Sequence, residues 1–279
     1  MEQNIMTTMP EQVAKQHLLQ ARNISKVFHV AKQKPLQALA DIDMAIARGQ
    51  ITGIVGESGS GKSTFGEIAA GLQEPTAGEM FFAGDAYSTM SRAKRKHWRK
   101  NVQIVFQDPV ASLAPHRRAL DLVAEPFVIQ RDPVRHKRDE LIKRIKTLFD
   151  DVGLAQELLT RTREELSGGQ CQRIAIARAL ALQPELIIFD ESLSALDVPV
   201  QRSIADLLKE LQKKYRMTYL FITHDLTMAN YLCDFLYVMQ QGRIADHGSS
   251  AYILQESNHP YVSKLRSAML SVDERRFVR

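Results

Sequence analysis

Residues 51–63 read I-T-G-I-V-G-E-S-G-S-G-K-S, and this stretch decides the fold. Ile51 to Val55 is an apolar run fit for a buried strand. From Lys62 onward, Phe65, Ile68 and Leu72 recur on one face, which predicts a helix over 62–72. The loop between them matches G-x-x-x-x-G-K-[ST] in the strand-then-helix setting that a phosphate-binding loop requires. Gly56, Gly59 and Gly61 let the backbone take conformations that a side chain forbids. Its N–H groups can then face phosphate oxygens beside the positive end of the following helix. Lys62 is placed to reach the β- and γ-phosphates of a nucleotide, and Ser63 to ligate Mg²⁺.

Further residues fit the same chemistry. Residues 186–191 read L-I-I-F-D-E, an apolar strand ending in two acids, and a strand end beside such a loop is where an α/β sheet binds its ligand. Asp190 can hold Mg²⁺ through its water shell, and Glu191 can orient or deprotonate an attacking water. Residues 166–170 read L-S-G-G-Q and open a second helix, with Ser167 as its cap and Gly168 and Gly169 leaving backbone N–H groups open to an anion. A chain that already has its phosphate loop has a use for this second site on the γ-phosphate of another subunit. His224, in F-I-T-H-D, ends a strand and can donate to a γ-phosphate. Gln107, in V-F-Q-D-P, also ends a strand and can contact Mg²⁺ or the attacking water.

Length and composition set the frame. The 279 residues suffice for one large or two modest domains, and 44% hydrophobic with 25% charged residues implies a globular core. The apolar runs, such as 186–189 and 219–222, are far too short to cross a bilayer. Residues 1–16 are polar and lack the apolar core of a secretory signal, so a cytoplasmic chain is expected. Cys171 and Cys233 are the only cysteines, too few for a disulfide scaffold and not at zinc-binding spacing. Net charge is +5, and basic residues cluster at 92–100 and 131–146. Nucleic acid or an anionic membrane surface could attract them, but acidic residues occur throughout, which favours solvated helical faces. Trp98, the one tryptophan, is no base-stacking platform by itself.

Along the chain, 18–28 and 38–47 read as an opening strand pair joined by a polar segment containing Pro35. Strands are also expected at 79–83 and 102–106. Leu141, Ile142, Ile145, Leu148, Phe149 and Val152 then recur at helical spacing, with Gly153 as a cap, within a helical insert. Strand–helix alternation resumes with strands at 186–189, 219–223 and 235–239 and a helix marked by Ile204, Leu207, Leu208 and Leu211. That alternation implies a largely parallel sheet covered on both faces. The expected division is a nucleotide-binding core over 17–108 and 166–270, a helical subdomain over 109–165, and tails at 1–16 and 271–279.

With these motifs in this order, nearly the whole chain resembles the ATP-binding subunits of ABC transporters. The resemblance implies an α/β P-loop NTPase core with an antiparallel β subdomain and a helical subdomain, and ATP and Mg²⁺ as cofactors. It implies Walker A contacts from Gly56, Ser58, Gly59, Ser60, Gly61, Lys62, Ser63 and Thr64, with Gln107 as the Q-loop residue. Ser167, Gly168, Gly169 and Gln170 become the signature sequence. Asp190 and Glu191 become the Walker B metal partner and catalytic base. Asp197 closes the D-loop, His224 is the switch histidine, and Phe28 matches the aromatic that stacks on adenine. Two such domains would enclose two ATP molecules and drive membrane subunits carried on other chains.

Within the family, V-F-Q-D-P-V-A-S-L, D-E-S-L-S-A-L-D-V and the late N-H-P-Y look like the importers of oligopeptides, dipeptides, nickel and metal chelates. Ala114, Ser192 and Cys171 depart from that subfamily, which usually has Asn, Pro and a polar residue there. With no cysteine after Cys233, a C-terminal iron–sulfur cluster is not expected. The implied partners are a second, distinct ATP-binding subunit, two permeases and, indirectly, an extracytoplasmic solute-binding protein, with the chain peripheral on the cytoplasmic face of the cell membrane. The alternative is a soluble ATPase of the same family acting on nucleic acid or ribosomes. The heptads, zinc spacings or second phosphate loop of such proteins are missing, and so is the acceptor site of a phosphotransferase.

Overall fold

Two sheets organise the chain in the computed structural model, which describes residues 17–29 and 34–276. The expected tail at 1–16 and the last three residues lie outside the described residues. The first sheet is antiparallel, with β1 (His17–Phe28), β2 (Leu36–Ala47), β4 (Ala77–Phe82) and β5 (Asp85–Ala86) in the order β2-β1-β4-β5. The opening strand pair is therefore present, in a register that sets Phe28 opposite Leu36.

The second sheet holds β3 (Ile51–Val55), β6 (Val102–Val105), β7 (Leu186–Asp190), β8 (Thr218–Thr223), β9 (Phe235–Gln240) and β10 (Arg243–Ser249), in the order β10-β9-β3-β8-β7-β6. All neighbours are parallel except β10, an antiparallel edge strand that periodicity does not reveal. The apolar runs are continuous because both faces are covered. Leu186, Ile188, Leu220, Ile222 and Ile54 face the antiparallel sheet, with Phe65 and Ile68 of α1 (Lys62–Ala69) packed between. Ile187, Phe189, Tyr219 and Phe221 face the larger core on the other side. That core also takes in α6 (Gly168–Leu180), α7 (Val198–Tyr215) and α8 (Leu226–Leu232).

The helical insert contains α3 (Pro109–Ser112), α4 (Ala119–Ile129) and α5 (Arg138–Asp151). Ile145, Leu148 and Phe149 are its buried stripe, and Gly153, at φ 66°, closes α5. The Gly153 N–H bonds to Asp150 O and the Leu154 N–H to Phe149 O, the paired bonds of a glycine-terminated helix. Helix α1 ends the same way, three residues earlier than expected. Gly71, at φ 69°, donates to Ile68 O and Leu72 to Glu67 O, so Leu72 leaves the helix and is 56% exposed.

The basic stretch at 92–100 forms α2 (Arg92–Asn101), capped by Ser91. Its Lys94 pairs with Asp85 and its Arg95 with Glu74, while Trp98 turns inward. The indole stacks on Phe82, meets Tyr87 edge-on and donates to Ala69 O at 3.1 Å. It is a core residue. Helix α9 (Ser250–Gln255) precedes α10 (Pro260–Arg276), which runs into the segment read from sequence as a polar tail.

Candidate nucleotide site

The phosphate loop leaves β3 at the centre of the parallel sheet and enters α1. Its conformation needs glycine at two points above all. Gly61 has φ 101°, and a Cβ there would come within 2.5 Å of Ala38 O. A Cβ on Gly56 would come within 2.2 Å of Met239 O. Any side chain at either position displaces backbone.

Ser58, Gly59, Gly61, Lys62, Ser63 and Thr64 line an open cleft of about 510 Å³, together with Gln107, Glu191 and Phe28. Gly56 and Ser60 belong to the loop but sit behind it, and Ser60 is buried. The Lys62 ammonium is 3% exposed and folds back on its own loop. It donates to Gly56 O at 2.8 Å and to Glu57 O at 2.9 Å, and lies 3.5 Å from Glu191 Oε1. Burial pushes its pKa below the ordinary lysine range, and Glu191 opposes that shift. Ser63 donates its hydroxyl to Asp190 Oδ1 at 2.9 Å, joining the loop to the end of β7. Burial pushes the Asp190 carboxyl above the ordinary aspartate range, and the Ser63 hydrogen bond offsets part of it.

Glu191 lies one residue beyond β7, with φ 44° in the left-handed region that non-glycine residues seldom adopt. Such a conformation costs about 1–3 kcal/mol and needs support from its surroundings. Here the Glu191 N–H donates to Ile222 O, and the N–H and hydroxyl of Ser194 both donate to Glu191 O. The carboxylate meets His224 Nδ1 at 3.2 Å and Gln107 Nε2 at 3.5 Å. Lys62, Ser63, Gln107, Asp190, Glu191 and His224 thus converge from four separate places in the sequence.

Phe28 ends β1 half-buried at the rim of the cleft, with the Lys26 ammonium 5.2 Å from its ring centre. It lies outside both hydrophobic cores, so a core phenylalanine is not its role. Five lining residues escape sequence reasoning: Leu36, which pairs with Phe28, its neighbours Gln37 and Ala38, and the pair Gln241 and Gly242. Gly242 donates to Ser60 O and accepts from Ala40 N, tying the β9–β10 turn to both the loop and β2. The only local signal for that turn is its Gln-Gln-Gly sequence.

The signature turn is elsewhere. Ser167 caps α6 by accepting from Gln170 N, and the Gln170 side chain accepts from Ser167 N, a closed capping box. Ser167 and Gly168 are exposed, and none of Ser167, Gly168, Gly169 and Gln170 lines the cleft. Gly169 packs toward Val200, where a Cβ would sit 3.1 Å from Cγ1. Asp197 stands at the start of α7 without a capping bond from its side chain, in a hollow that it shares with His224. Ala114, Cys171 and Ser192, the departures from the subfamily pattern, do not line the cleft either. Cys171 and Cys233 are buried, and burial pushes both thiols up, away from reactive thiolate. Among the described residues no helix is long and apolar enough to cross a membrane.

Comparison with known proteins agrees with this geometry. A family model described as "ABC transporter" matches residues 39–194. The oligopeptide transport ATP-binding protein OppF of Streptococcus mutans is 40% identical over 256 residues, 92% of this chain and 82% of that protein. OppF of Bacillus subtilis is 40% identical over 253 residues, 90% of this chain and 82% of that protein. Among solved structures, cbiO1 of Clostridium perfringens, part of the ABC transporter complex cbiONQ, superposes with a TM-score of 0.76 at 28% identity, covering 94% of this chain and 100% of that one. The ATP-binding cassette MJ0796, in a dimeric post-hydrolysis state with ADP and Pi, gives a TM-score of 0.73 at 28% identity, over 83% of this chain and 98% of that one. With a family match spanning more than half of the chain and such identity along nearly its whole length, the chain belongs to the ATP-hydrolysing subunits of ABC transporters.

Proposed function

We propose that the chain is one of two motor subunits in a peptide importer, working at the cytoplasmic face of the cell membrane. The observation that carries the two-subunit reading is the separation of the signature turn from the phosphate cleft. Ser167, Gly168 and Gly169 present an open helix N-terminus to the outside, while Lys62 and Ser63 lie in the cleft. A second ATP-binding subunit, meeting this one head to tail, brings its signature turn onto the γ-phosphate held here, and Ser167 serves the partner's ATP in return. The relatives named for oligopeptide and peptide import, such as the putative peptide import ATP-binding protein of Brucella ovis at 40% identity, support the cargo class.

In the cleft, the adenine stacks on Phe28 and the triphosphate lies along residues 58–64. Lys62 exchanges its loop carbonyls for the β- and γ-phosphates. The oxygen donors Ser63 and Asp190, together with Gln107, fit a hard divalent cation; they would hold Mg²⁺, which would supply neutralising charge on the phosphate oxygens. Glu191 accepts the proton of the attacking water, and His224, hydrogen-bonded to it, donates to the γ-phosphate. Asp197 lies beside His224 and faces the partner.

Two permease subunits deliver the motion to the membrane, and a solute-binding protein supplies cargo from outside. A groove of about 300 Å³ between the core and α4 offers a seat for them, with Leu72 and Ile129 exposed at its edge. The soluble alternative is not favoured: Trp98 is buried, and two cations of its helix are paired with acids. The test is to purify the assembled complex and weigh its subunits. This chain together with a second, similar ATP-binding chain and two permeases, with ATPase activity stimulated by a peptide-loaded binding protein, is the expected result. Two copies of this chain alone would remove the second paralogue and leave the motor standing.

A further inference from the structure

The N-H-P-Y stretch at 258–261 has no part in the chemistry described so far, yet it reaches the phosphate loop. Tyr261 is 5% exposed and its phenol oxygen accepts from the backbone N–H of Glu57 at 2.9 Å. That N–H and the Gly56 carbonyl belong to one planar peptide and point in opposite directions. Lys62 holds the carbonyl side at 2.8 Å, so the plane is gripped from both edges, by the nucleotide-binding lysine and by Tyr261.

The segment around Tyr261 is built to be stiff. His259 Nδ1 accepts from Tyr261 N, and Pro260 starts α10 where it can donate no hydrogen bond and none is needed. The Ser257 hydroxyl is bonded to Asp246 on β10, and Arg266 donates to Leu254 O and Ser257 O. One turn on, Lys264 Nζ pairs with the Glu57 carboxylate at 2.9 Å, an exposed contact of little energetic weight. The buried phenol is the anchor.

We infer that Tyr261 is a positioning residue for nucleotide binding: it fixes the peptide joining Gly56 to Glu57, so that the loop keeps its phosphate-binding shape when Lys62 lets go of Gly56 O to take the nucleotide. The inference rests on the phosphate-loop reading. Without the anchor, the loop is ordered only when ATP arrives, and affinity falls while the reacting groups stay in place.

Tyr261→Phe keeps the ring and removes the acceptor. In the full chain, with Mg²⁺ and a fluorescent ATP analogue, it is expected to bind about fivefold more weakly, the effect of one lost hydrogen bond. KM for ATP rises by the same factor, with turnover at saturating ATP changed less than twofold. Amide exchange on the unmodified, nucleotide-free chain gives an independent measurement, in which the Glu57 N–H is protected although it lies in a loop. Lys62→Ala, run alongside, separates the failures. If it loses ATP binding while Tyr261→Phe retains full affinity, or if the Glu57 amide exchanges freely, the anchor role is overturned. If Lys62→Ala itself binds ATP normally, the phosphate-loop reading falls and takes the anchor with it.

Discussion

His224 Nδ1 lies 3.2 Å from Glu191 Oε2, so the histidine just beyond one strand is hydrogen-bonded to the acid just beyond its neighbour. The contact spans 33 residues and exists because β7 and β8 are adjacent parallel strands whose ends lie side by side. It joins the proposed general base to the proposed donor to the γ-phosphate. His224→Ala is therefore expected to lower ATP turnover by about a hundredfold, the scale of one lost donor to developing charge. ATP affinity should change less than twofold, because Lys62 and the loop at 58–64 hold the ground-state triphosphate while the proposed His224 contact strengthens as charge develops. Steady-state ATPase assays beside equilibrium binding separate the two effects.

Asp190 gives a pH and stability prediction. Burial raises its pKa in the fold above the unfolded value of 3.8, so the folded chain favours the protonated form. Its contribution to stability is complete below the unfolded pKa and is lost as pH rises through the folded one. Above the folded pKa the nucleotide-free chain therefore carries an unfavourable buried charge. Asp190→Asn should raise the melting temperature by about 2 °C, the shift that ~1 kcal/mol gives in a domain of this size, while abolishing Mg²⁺-dependent hydrolysis. A fall in melting temperature would show instead that the Ser63 hydrogen bond outweighs the burial.

Phe28→Ala should weaken ATP binding several-fold with little change in base selectivity. Stacking uses the π-face that every base has, and an aromatic pair contributes roughly 0.5–1.5 kcal/mol beyond its area. Competition by GTP and CTP measures the selectivity. Unchanged ATP affinity would assign Phe28 to the rim of the antiparallel sheet alone.

How much of this could be read in the sequence depends on distance along the chain. The loop at 56–63 was legible because strand, glycines, lysine and helix are contiguous, and the two acids after 186–189 because a buried strand announces its own end. The end of α1 was legible in principle, yet Leu72 matched the helical period and masked the stop signal of Gly71. Leu36, Gln241 and Gly242 were not legible, since strand pairing alone brings them to the cleft. Tyr261 shows the limit best. Its motif stood out locally, but the Glu57 N–H that it meets is 204 residues away.

Ser167→Arg places a bulky cation where, on the proposed head-to-tail pairing, the signature turn meets the partner's nucleotide. In the assembled transporter it should damage the ATP site on the partner's phosphate loop by at least tenfold in turnover, since loss of a donor aimed at developing charge costs about 10²–10³. The cleft around Lys62 should still bind ATP normally. Photolabelling with an azido-ATP, read subunit by subunit, distinguishes the two sites. Loss of labelling on this chain itself would place both loops in one site.

The measurement closest to the central claim is ATP turnover and nucleotide occupancy of Glu191→Gln in the assembled transporter. The amide keeps the size of the side chain and removes the base. Turnover should fall by on the order of a hundredfold or more, with ATP retained in a closed dimer of ATP-binding subunits. Near-normal hydrolysis in that variant would contradict the assignment of Glu191 as the base.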